Sequence, residues 1–192
     1  FRSTQNNILL TACPGSGKTR TLTHRLAYQV LRDPASKKIK IAITYTNRAA
    51  EEITNRLEGM NIDQSSIWAG TIHQFCMHFI IRPYAMYSKR LCKGYRIIDD
   101  YSKKAYGREI AERLGMHLNY YDDPFQYENV RTEYKRVLKE KKEIDFDAIL
   151  LISEELLASC AFIGSNIASV ISSILVDEFQ DTNELQYSIL ST

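Results

Sequence analysis

A glycine-rich segment near the start of the chain limits the possible folds more than any other feature. It reads Ala12-Cys-Pro-Gly-Ser-Gly-Lys-Thr19, follows the apolar run Asn7–Ala12 and leads into Lys18–Arg32, which contains no glycine or proline. This is the pattern of a phosphate-binding loop between a buried strand and a helix, with Ala12 where the strict pattern has glycine. We therefore predict a strand over Asn7–Ala12 and a helix over Lys18–Arg32.

The residue types in this loop suit a nucleotide phosphate. Gly15 and Gly17 allow positive φ angles and a close approach of the backbone to phosphate oxygens, which the amides at a helix N-terminus then bind. Lys18 would neutralise the β- and γ-phosphate charge, and the Thr19 hydroxyl would bind Mg²⁺. The predicted nucleotide-binding residues are Ala12, Cys13, Pro14, Gly15, Ser16, Gly17, Lys18 and Thr19. The alternative is a glycine-rich turn with an incidental lysine.

Strands and helices alternate after the loop. Ile39–Tyr45 is β-branched and almost continuously apolar, which is typical of a strand buried on both faces of a parallel sheet. Asn47–Leu57 predicts a helix, Ile67–Thr71 a further strand, and Thr71 with Gln74 a capping box for a helix to about Ile81. This order predicts a parallel α/β sheet.

The pattern then becomes mainly helical. Between Arg82 and Glu143 we find no convincing buried strand and only a short extended piece at Tyr95–Ile98. Asp100–Leu114, Asn129–Glu143 and Phe146–Leu157 predict helices. The basic run Lys135–Lys142 within the second of these would either contact a DNA backbone or form a solvated helix face.

A second candidate for chemistry lies near the end of the sequence. Ile171–Val176 predicts a buried strand that ends at Asp177 and Glu178, an arrangement typical of a Mg²⁺-nucleotide site. Asp177 would hold the Mg²⁺ water shell, and Glu178 would act as the general base for the attacking water. Taken alone this pattern also fits a solvated strand end, but its pairing with a phosphate-binding loop favours the catalytic interpretation. Asp181 and Glu184 predict the cap of a final helix.

Together these segments resemble the UvrD/Rep family of superfamily 1 helicases. Ala12–Thr19 is similar to motif I of the family, Ile43–Leu57 to motif Ia, Gly70–Phe75 to motif Ib and Val176–Thr182 to motif II. Phe146–Leu151 also resembles a family segment that precedes motif II. The order and spacing fit over most of the chain outside the helical stretch.

The resemblance implies an α/β P-loop NTPase fold, with a RecA-like parallel sheet flanked by helices and a mainly helical inserted subdomain. Residues 1–81 and 146–192 would form the ATP-binding domain, truncated at both ends, and 82–145 the inserted subdomain. It implies that Arg20 lies near the nucleotide and that Gln180 and Asp181 couple nucleotide state to the rest of the motor. The implied DNA contacts are Tyr45, Thr46, Asn47, Thr71 and His73. Without the resemblance these last five residues would be interpreted as helix caps, core or a structural histidine.

Composition limits the remaining classes of function. A net charge of +2 and a pI near 8.3 are too weak to argue for nucleic-acid binding by themselves. The four cysteines form no Cys-x-x-Cys pair, so we expect free thiols and no zinc site. The sequence shows neither a signal segment nor a sufficiently long apolar run for a membrane span, and we expect a cytoplasmic protein.

We therefore expect the ATP-binding part of a helicase that hydrolyses Mg-ATP and moves 3′ to 5′ along single-stranded DNA. The resemblance implies a second RecA-like domain in the same parent chain, and we expect this chain by itself to be nearly inactive because that domain supplies arginine fingers. The alternatives are a P-loop phosphotransferase, a non-catalytic helicase-like interaction module, and the motor core of a recombination nuclease-helicase. DNA versus RNA preference and further protein partners stay open.

Overall fold

The structure, a computed structural model, describes residues 8–11, 13, 15–119 and 121–191. They divide into two compact units. The first holds the described residues up to Phe75 together with Ala161–Leu190, and the second holds Cys76–Cys160. The predicted ATP-binding domain (1–81 and 146–192) and inserted subdomain (82–145) are assignments to domains of the family, and they stay a prediction.

The described chain alternates helices and strands toward both ends and is mainly helical between them. Its elements are α1 (Lys18–Arg32), β1 (Ile39–Thr44), α2 (Asn47–Gly59), β2 (Ile67–Thr71), α3 (Ile72–Phe75), a π-helical segment (Cys76–Ile81), α4 (Arg82–Tyr84), β3 (Arg96–Ile97), α5 (Asp100–Arg113), α6 (Glu128–Lys141), β4 (Glu143–Ile144), α7 (Phe146–Ser159), α8 (Ala161–Val170), β5 (Ile171–Val176) and α9 (Glu184–Ser191). Short 3₁₀ turns lie at Ala85–Tyr87, Pro124–Gln126 and Phe179–Asp181.

A parallel sheet with the strand order β2-β1-β5 forms the centre of the first unit, which confirms the predicted α/β class. Its register places Ala69, Ala42 and Leu175 side by side on one face. Helices α1 and α2 cover that face, where Leu26 and Ile53 are fully buried. Small alanines in the strands let the two helices approach the sheet closely, so the start of α1 is held at a fixed position beside the strand ends.

Helices and one short strand pair make up the second unit. Strands β3 and β4 pair in parallel, and a core cluster that includes Ile110, Val130 and Tyr134 lies between α5 and α6. The buried carboxylate of Asp145 caps α7 by accepting a hydrogen bond from the Ala148 amide at 3.0 Å, and it accepts another from the Tyr134 hydroxyl at 3.0 Å. This one carboxylate therefore ties α6 to α7. Burial and the Asp145 charge raise the pKa of Tyr134, so the hydroxyl keeps the proton that it donates.

Some expectations from the sequence were wrong in detail. Ile8–Thr11 carries no regular secondary structure, and Leu9 is 74% exposed, so the strand predicted over Asn7–Ala12 does not form in its described part; Asn7 and Ala12 lie outside the described residues. An apolar run becomes a strand only where a neighbouring strand accepts its backbone hydrogen bonds, and composition does not show whether that partner is in place.

Helix ends differ from the prediction as well. The cap of α9 is a reciprocal pair. The side-chain Oδ1 of Asn183 accepts from the Gln186 backbone amide at 2.9 Å, and the side-chain Oε1 of Gln186 accepts from the Asn183 backbone amide at 3.2 Å. Asp181 and Glu184 do not form that cap, because Asp181 ends a 3₁₀ turn. Helix α8 and strand β4 were not predicted. In contrast, the capping box of Thr71 with Gln74 is present.

No helix in the described ranges is both long enough and apolar enough to cross a lipid bilayer.

Gly70 offers a test of the packing beside β2. A Cβ at this position would lie 2.6 Å from Cη2 of Trp68 and 2.8 Å from Oε1 of Gln74, whereas one at Gly59 would meet nothing within 4 Å. We expect Gly70→Ala to lower the free energy of unfolding by about 1–3 kcal/mol, because the indole must move. Gly59→Ala, the control, should be neutral or stabilise by up to about 1 kcal/mol, as is usual for a helical glycine. Urea unfolding measures both variants, and equal stability of the two would contradict the packing described.

Candidate nucleotide site and adjoining pocket

The described part of the glycine-rich loop has the backbone that an anion site requires. Gly15 and Gly17 have φ angles of +76° and +89°, which confirms the positive φ expected at both. Gly17 is the N-cap of α1 and provides no side-chain cap, so the amides of the first turn are left for another acceptor. Ala12 and Pro14 lie outside the described residues.

Other predicted nucleotide-binding residues surround this helix start. The Ser16 amide donates to the Cys13 carbonyl at 3.2 Å and closes the turn before α1. Lys18 is the first residue of α1 and is half-buried, while Arg20, in the same turn, is exposed. Cys13 is an exposed free thiol.

A hydrogen bond joins the two segments that the sequence analysis selected for chemistry. The Thr19 hydroxyl donates to Oδ2 of Asp177 at 2.9 Å, across 158 positions of the chain. Asp177 is itself fixed, because its amide donates to the Ile43 carbonyl at 2.8 Å at the end of β1. The structure therefore places the two predicted Mg²⁺ residues in direct contact, which the sequence could not show.

Glu178 lies beside Asp177 but points to different partners. Its φ of +51° is left-handed, which is uncommon for a non-glycine residue and turns the chain sharply at the end of β5. Its Oε2 accepts a hydrogen bond from the Gln180 side-chain amide at 2.6 Å, and its carbonyl accepts from the Asp181 amide at 2.9 Å. Of the two predicted coupling residues, Gln180 therefore contacts the carboxylate of the predicted general base, and Asp181 contacts its backbone.

The predicted DNA-contacting residues lie at the carboxyl ends of β1 and β2. Tyr45 is 67% exposed, so it is a surface aromatic and not a core residue. Thr46 caps α2 by accepting from the Ala49 amide at 3.2 Å, and Asn47 is the exposed first residue of that helix. Thr71 caps α3. The cap roles of Thr46 and Thr71 therefore exist whether or not these residues also bind a ligand.

A pocket of about 230 Å³ lies at these strand ends. Tyr45, Thr71 and His73 line it together with Asp177 and Glu178. Residues that the sequence analysis placed in two separate sites therefore share one cavity wall, because parallel strands end at the same edge of a sheet.

Three residues of this region were missed by the sequence analysis. Thr44 is 3% exposed, and its hydroxyl donates to the Thr46 carbonyl at 2.9 Å, which fixes the turn that carries Tyr45. Thr182 and Gln186 also line the pocket. A threonine within an otherwise apolar strand was the available signal for Thr44, whereas nothing local marks the other two.

The sequence of this chain is similar to a known family of helicases. A sequence model described as the UvrD/REP helicase N-terminal domain matches residues 1–128 and 119–192. An ATP-dependent DNA helicase PcrA from Leuconostoc citreum is 27% identical over 99% of this chain, and DNA helicase II from Escherichia coli K12 is 27% identical over 96%. A PcrA helicase from Staphylococcus aureus is 26% identical over 98%. The chain spans about 29% of the length of the first two relatives and 30% of the third.

Removal of the Thr19 hydroxyl tests the link between α1 and β5. We expect Thr19→Val to lower the free energy of unfolding by about 1 kcal/mol without nucleotide, because a half-buried carboxylate loses its donor. Thr19→Ser keeps the hydroxyl and should lose less than half of that. Urea unfolding of both variants measures the difference, and valine and serine variants of equal stability would contradict the bond.

Proposed function

The chain belongs to the UvrD/REP helicase family, and on that premise we propose that it binds Mg-ATP and single-stranded DNA as the ATPase part of a DNA helicase. The contact of 2.9 Å between Thr19 and Asp177 supports this proposal most strongly. It brings the phosphate-binding loop and the acidic strand end into one site. The same two segments resemble motifs I and II of the family.

The start of α1 would receive the nucleotide phosphates. Positive φ angles at Gly15 and Gly17 would let the backbone amides face a phosphate, and the partial positive charge of the helix N-terminus favours anions there. Lys18, the first residue of the helix, would neutralise the β- and γ-phosphates. Arg20 would lie near the nucleotide from the exposed side of the same turn.

The donor set at Thr19 and Asp177 fits Mg²⁺. Both offer oxygen, the ligand type that Mg²⁺ prefers, and a site with few protein ligands leaves room for water and phosphate oxygens. Bound there with ATP, Mg²⁺ would supply charge neutralisation on the phosphates. The present hydrogen bond would open so that the hydroxyl and carboxylate oxygens face the cation.

Glu178 would act as general base on the attacking water. The Gln180 amide donates to its carboxylate at 2.6 Å, and this hydrogen bond orients the carboxylate. Gln180 and Asp181 would report the state of this carboxylate to the rest of the motor. This coupling role follows from the resemblance and from their contacts with Glu178.

Single-stranded DNA would lie across the pocket at the strand ends. The exposed ring of Tyr45 offers a surface for base stacking, which tolerates any sequence. Thr46, Asn47, Thr71 and His73 would contact the strand nearby. Because Asp177 and Glu178 line the same pocket, a change at the nucleotide has a short path to the bound strand.

The activity of the whole parent protein stays a proposal, because this chain spans only 29% of the length of its first two relatives. We propose that the parent protein moves 3′ to 5′ along DNA in the cytoplasm, with a second RecA-like domain and with residues 82–145 as an inserted subdomain. Slow turnover by this chain alone stays a prediction. A helicase-like module without catalysis, or the motor core of a nuclease-helicase, would share this site.

Nucleotide titration tests the proposed site. We expect a fluorescent ATP analogue with Mg²⁺ to bind saturably, and Lys18→Ala to weaken it about 10- to 100-fold, because a charge-assisted phosphate contact is lost. The exposed residue Lys37 gives a control, since Lys37→Ala removes the same charge elsewhere. If neither wild type nor variant binds nucleotide, the proposal for this chain fails and the non-catalytic module gains support.

The stacking role of Tyr45 has its own test. We expect Tyr45→Ala to weaken binding of a fluorescent oligo(dT) about 5- to 100-fold, measured by anisotropy, because a base–aromatic stack is lost. Tyr45→Phe keeps the ring and should bind like the wild type. Equal affinity of the alanine and phenylalanine variants would show that the ring makes no stacking contact.

A further inference from the structure

Positive charge is concentrated in one stretch of the chain. Between Asp63 and Asp99 there is no acidic residue, and the stretch contains Arg82, Lys89, Arg90, Lys93 and Arg96. These five positive charges exceed the net +2 of the whole chain, so the remainder is net negative. The small net charge of the whole chain is therefore compatible with a strongly positive stretch between Asp63 and Asp99.

Three of these cations stand on a tightly held turn, Ser88–Gly94, which we call the basic turn. Ser88 is 7% exposed, and its carbonyl accepts from the Leu91 and Cys92 amides at 3.1 and 3.0 Å. Leu91 is 2% exposed and anchors the middle of the turn. The Gly94 amide closes it on the Leu91 carbonyl at 2.9 Å. Lys89, Arg90 and Lys93 are all exposed on this fixed backbone.

A fourth cation lies against the basic turn. Lys142, at the end of α6, is exposed and donates from Nζ to the Lys93 carbonyl at 3.4 Å. Within the described residues of the second unit, none of Lys89, Arg90, Lys93 and Lys142 forms an ion pair. Arg96, in contrast, is held by the buried carboxylate of Glu143. The basic turn and the neighbouring Lys142 thus present four positive charges that form no ion pair among the described residues.

The arginines of helix α6, unlike the cations of the basic turn, are paired with glutamates of the same helix. Arg136 of α6 pairs with Glu133 at 2.6 Å and also with Glu140. Arg136 lowers the pKa of the Glu133 carboxyl, which therefore stays charged and paired. Arg131 pairs with Glu128 in the same way. Within the run Lys135–Lys142, considered from the sequence as a DNA contact or a solvated helix face, Arg136 therefore belongs to an internally paired helix face.

We propose that the basic turn, Lys89, Arg90 and Lys93 with Lys142, is a second nucleic-acid contact that binds backbone phosphates. This inference rests on the proposed DNA binding and adds a contact at residues other than Tyr45. Neighbouring cations on a turn whose backbone is already fixed lose little entropy when they bind the phosphates of a strand. Phosphate contacts carry no sequence preference, so the turn binds single strands and duplexes alike.

Salt-dependent DNA binding tests the proposal. The triple variant Lys89→Gln, Arg90→Gln, Lys93→Gln is compared with Lys135→Gln, Arg136→Gln, Lys139→Gln, which removes the same charge from α6. Anisotropy with fluorescent oligo(dT) and with a duplex is measured at several salt concentrations. We expect the turn variant to lose about tenfold or more in affinity and about two units of the log–log salt slope, because up to three phosphate contacts disappear. The α6 variant should keep its affinity within about twofold of wild type and keep the wild-type salt slope.

Further variants separate contact from misfolding. Lys89→Arg, Arg90→Lys, Lys93→Arg keeps every charge and should restore the wild-type affinity and slope, and thermal unfolding should be unchanged in all variants. Equal losses in the turn and α6 variants would overturn the proposal, since net charge alone would explain them. An unchanged salt slope in the turn variant would overturn it too, while Tyr45-dependent binding by the same protein would leave the proposed function intact. A wild type that binds no DNA would contradict both.

Discussion

The parallel pairing of β1 with β5 is the constraint on which the candidate site depends. It joins strands more than a hundred residues apart and sets Ile43 opposite Val176, so both strands end at the same edge of the sheet. Asp177 continues the ladder by one further bond to Ile43. Helix α1 packs on the face formed by Ala42 and Leu175, which brings the Thr19 hydroxyl to the carboxylate. Each of these positions follows from the register, because a shift of one residue would turn Asp177 to the opposite face.

Much of this arrangement is predictable from local patterns. The glycines of the loop, the acidic end of β5 and the capping box at Thr71 each depend on chemistry within a few residues, and the structure shows each of them. The strand prediction was wrong at Ile8–Thr11, because a strand requires a neighbouring strand to pair with and the sequence does not say whether one is present. The contact of Glu178 with Gln180 and the buried hydroxyl of Thr44 were also hidden. The first depends on the left-handed backbone of Glu178 and the second on the tight turn after Thr44, and the spacing of apolar residues in the sequence indicates neither.

The distribution of charge shows a related difference between sequence and structure. The run Lys135–Lys142 is conspicuously basic in the sequence. In the helix, however, glutamates three and four residues from Arg136 lie on the same face and pair with it. The basic turn is less conspicuous in the sequence, but buried Ser88 and Leu91 fix its backbone, and its cations form no ion pair within the part of the chain that the structure describes. The net charge of the chain therefore says little about where a polyanion would bind, because it does not show how the positive and negative residues are distributed among the elements.

If Thr19 and Asp177 bind the Mg²⁺ of one nucleotide site, as we propose, a double-mutant cycle on nucleotide affinity will show it. The affinity of an ATP analogue is measured with Mg²⁺ and with EDTA for the wild type, Thr19→Val, Asp177→Asn and the double variant. We expect each single variant to lose most of the Mg²⁺-dependent affinity and the double variant to lose little more, because both act on one cation. Losses that add, with the Mg²⁺ dependence retained in the double variant, would contradict it.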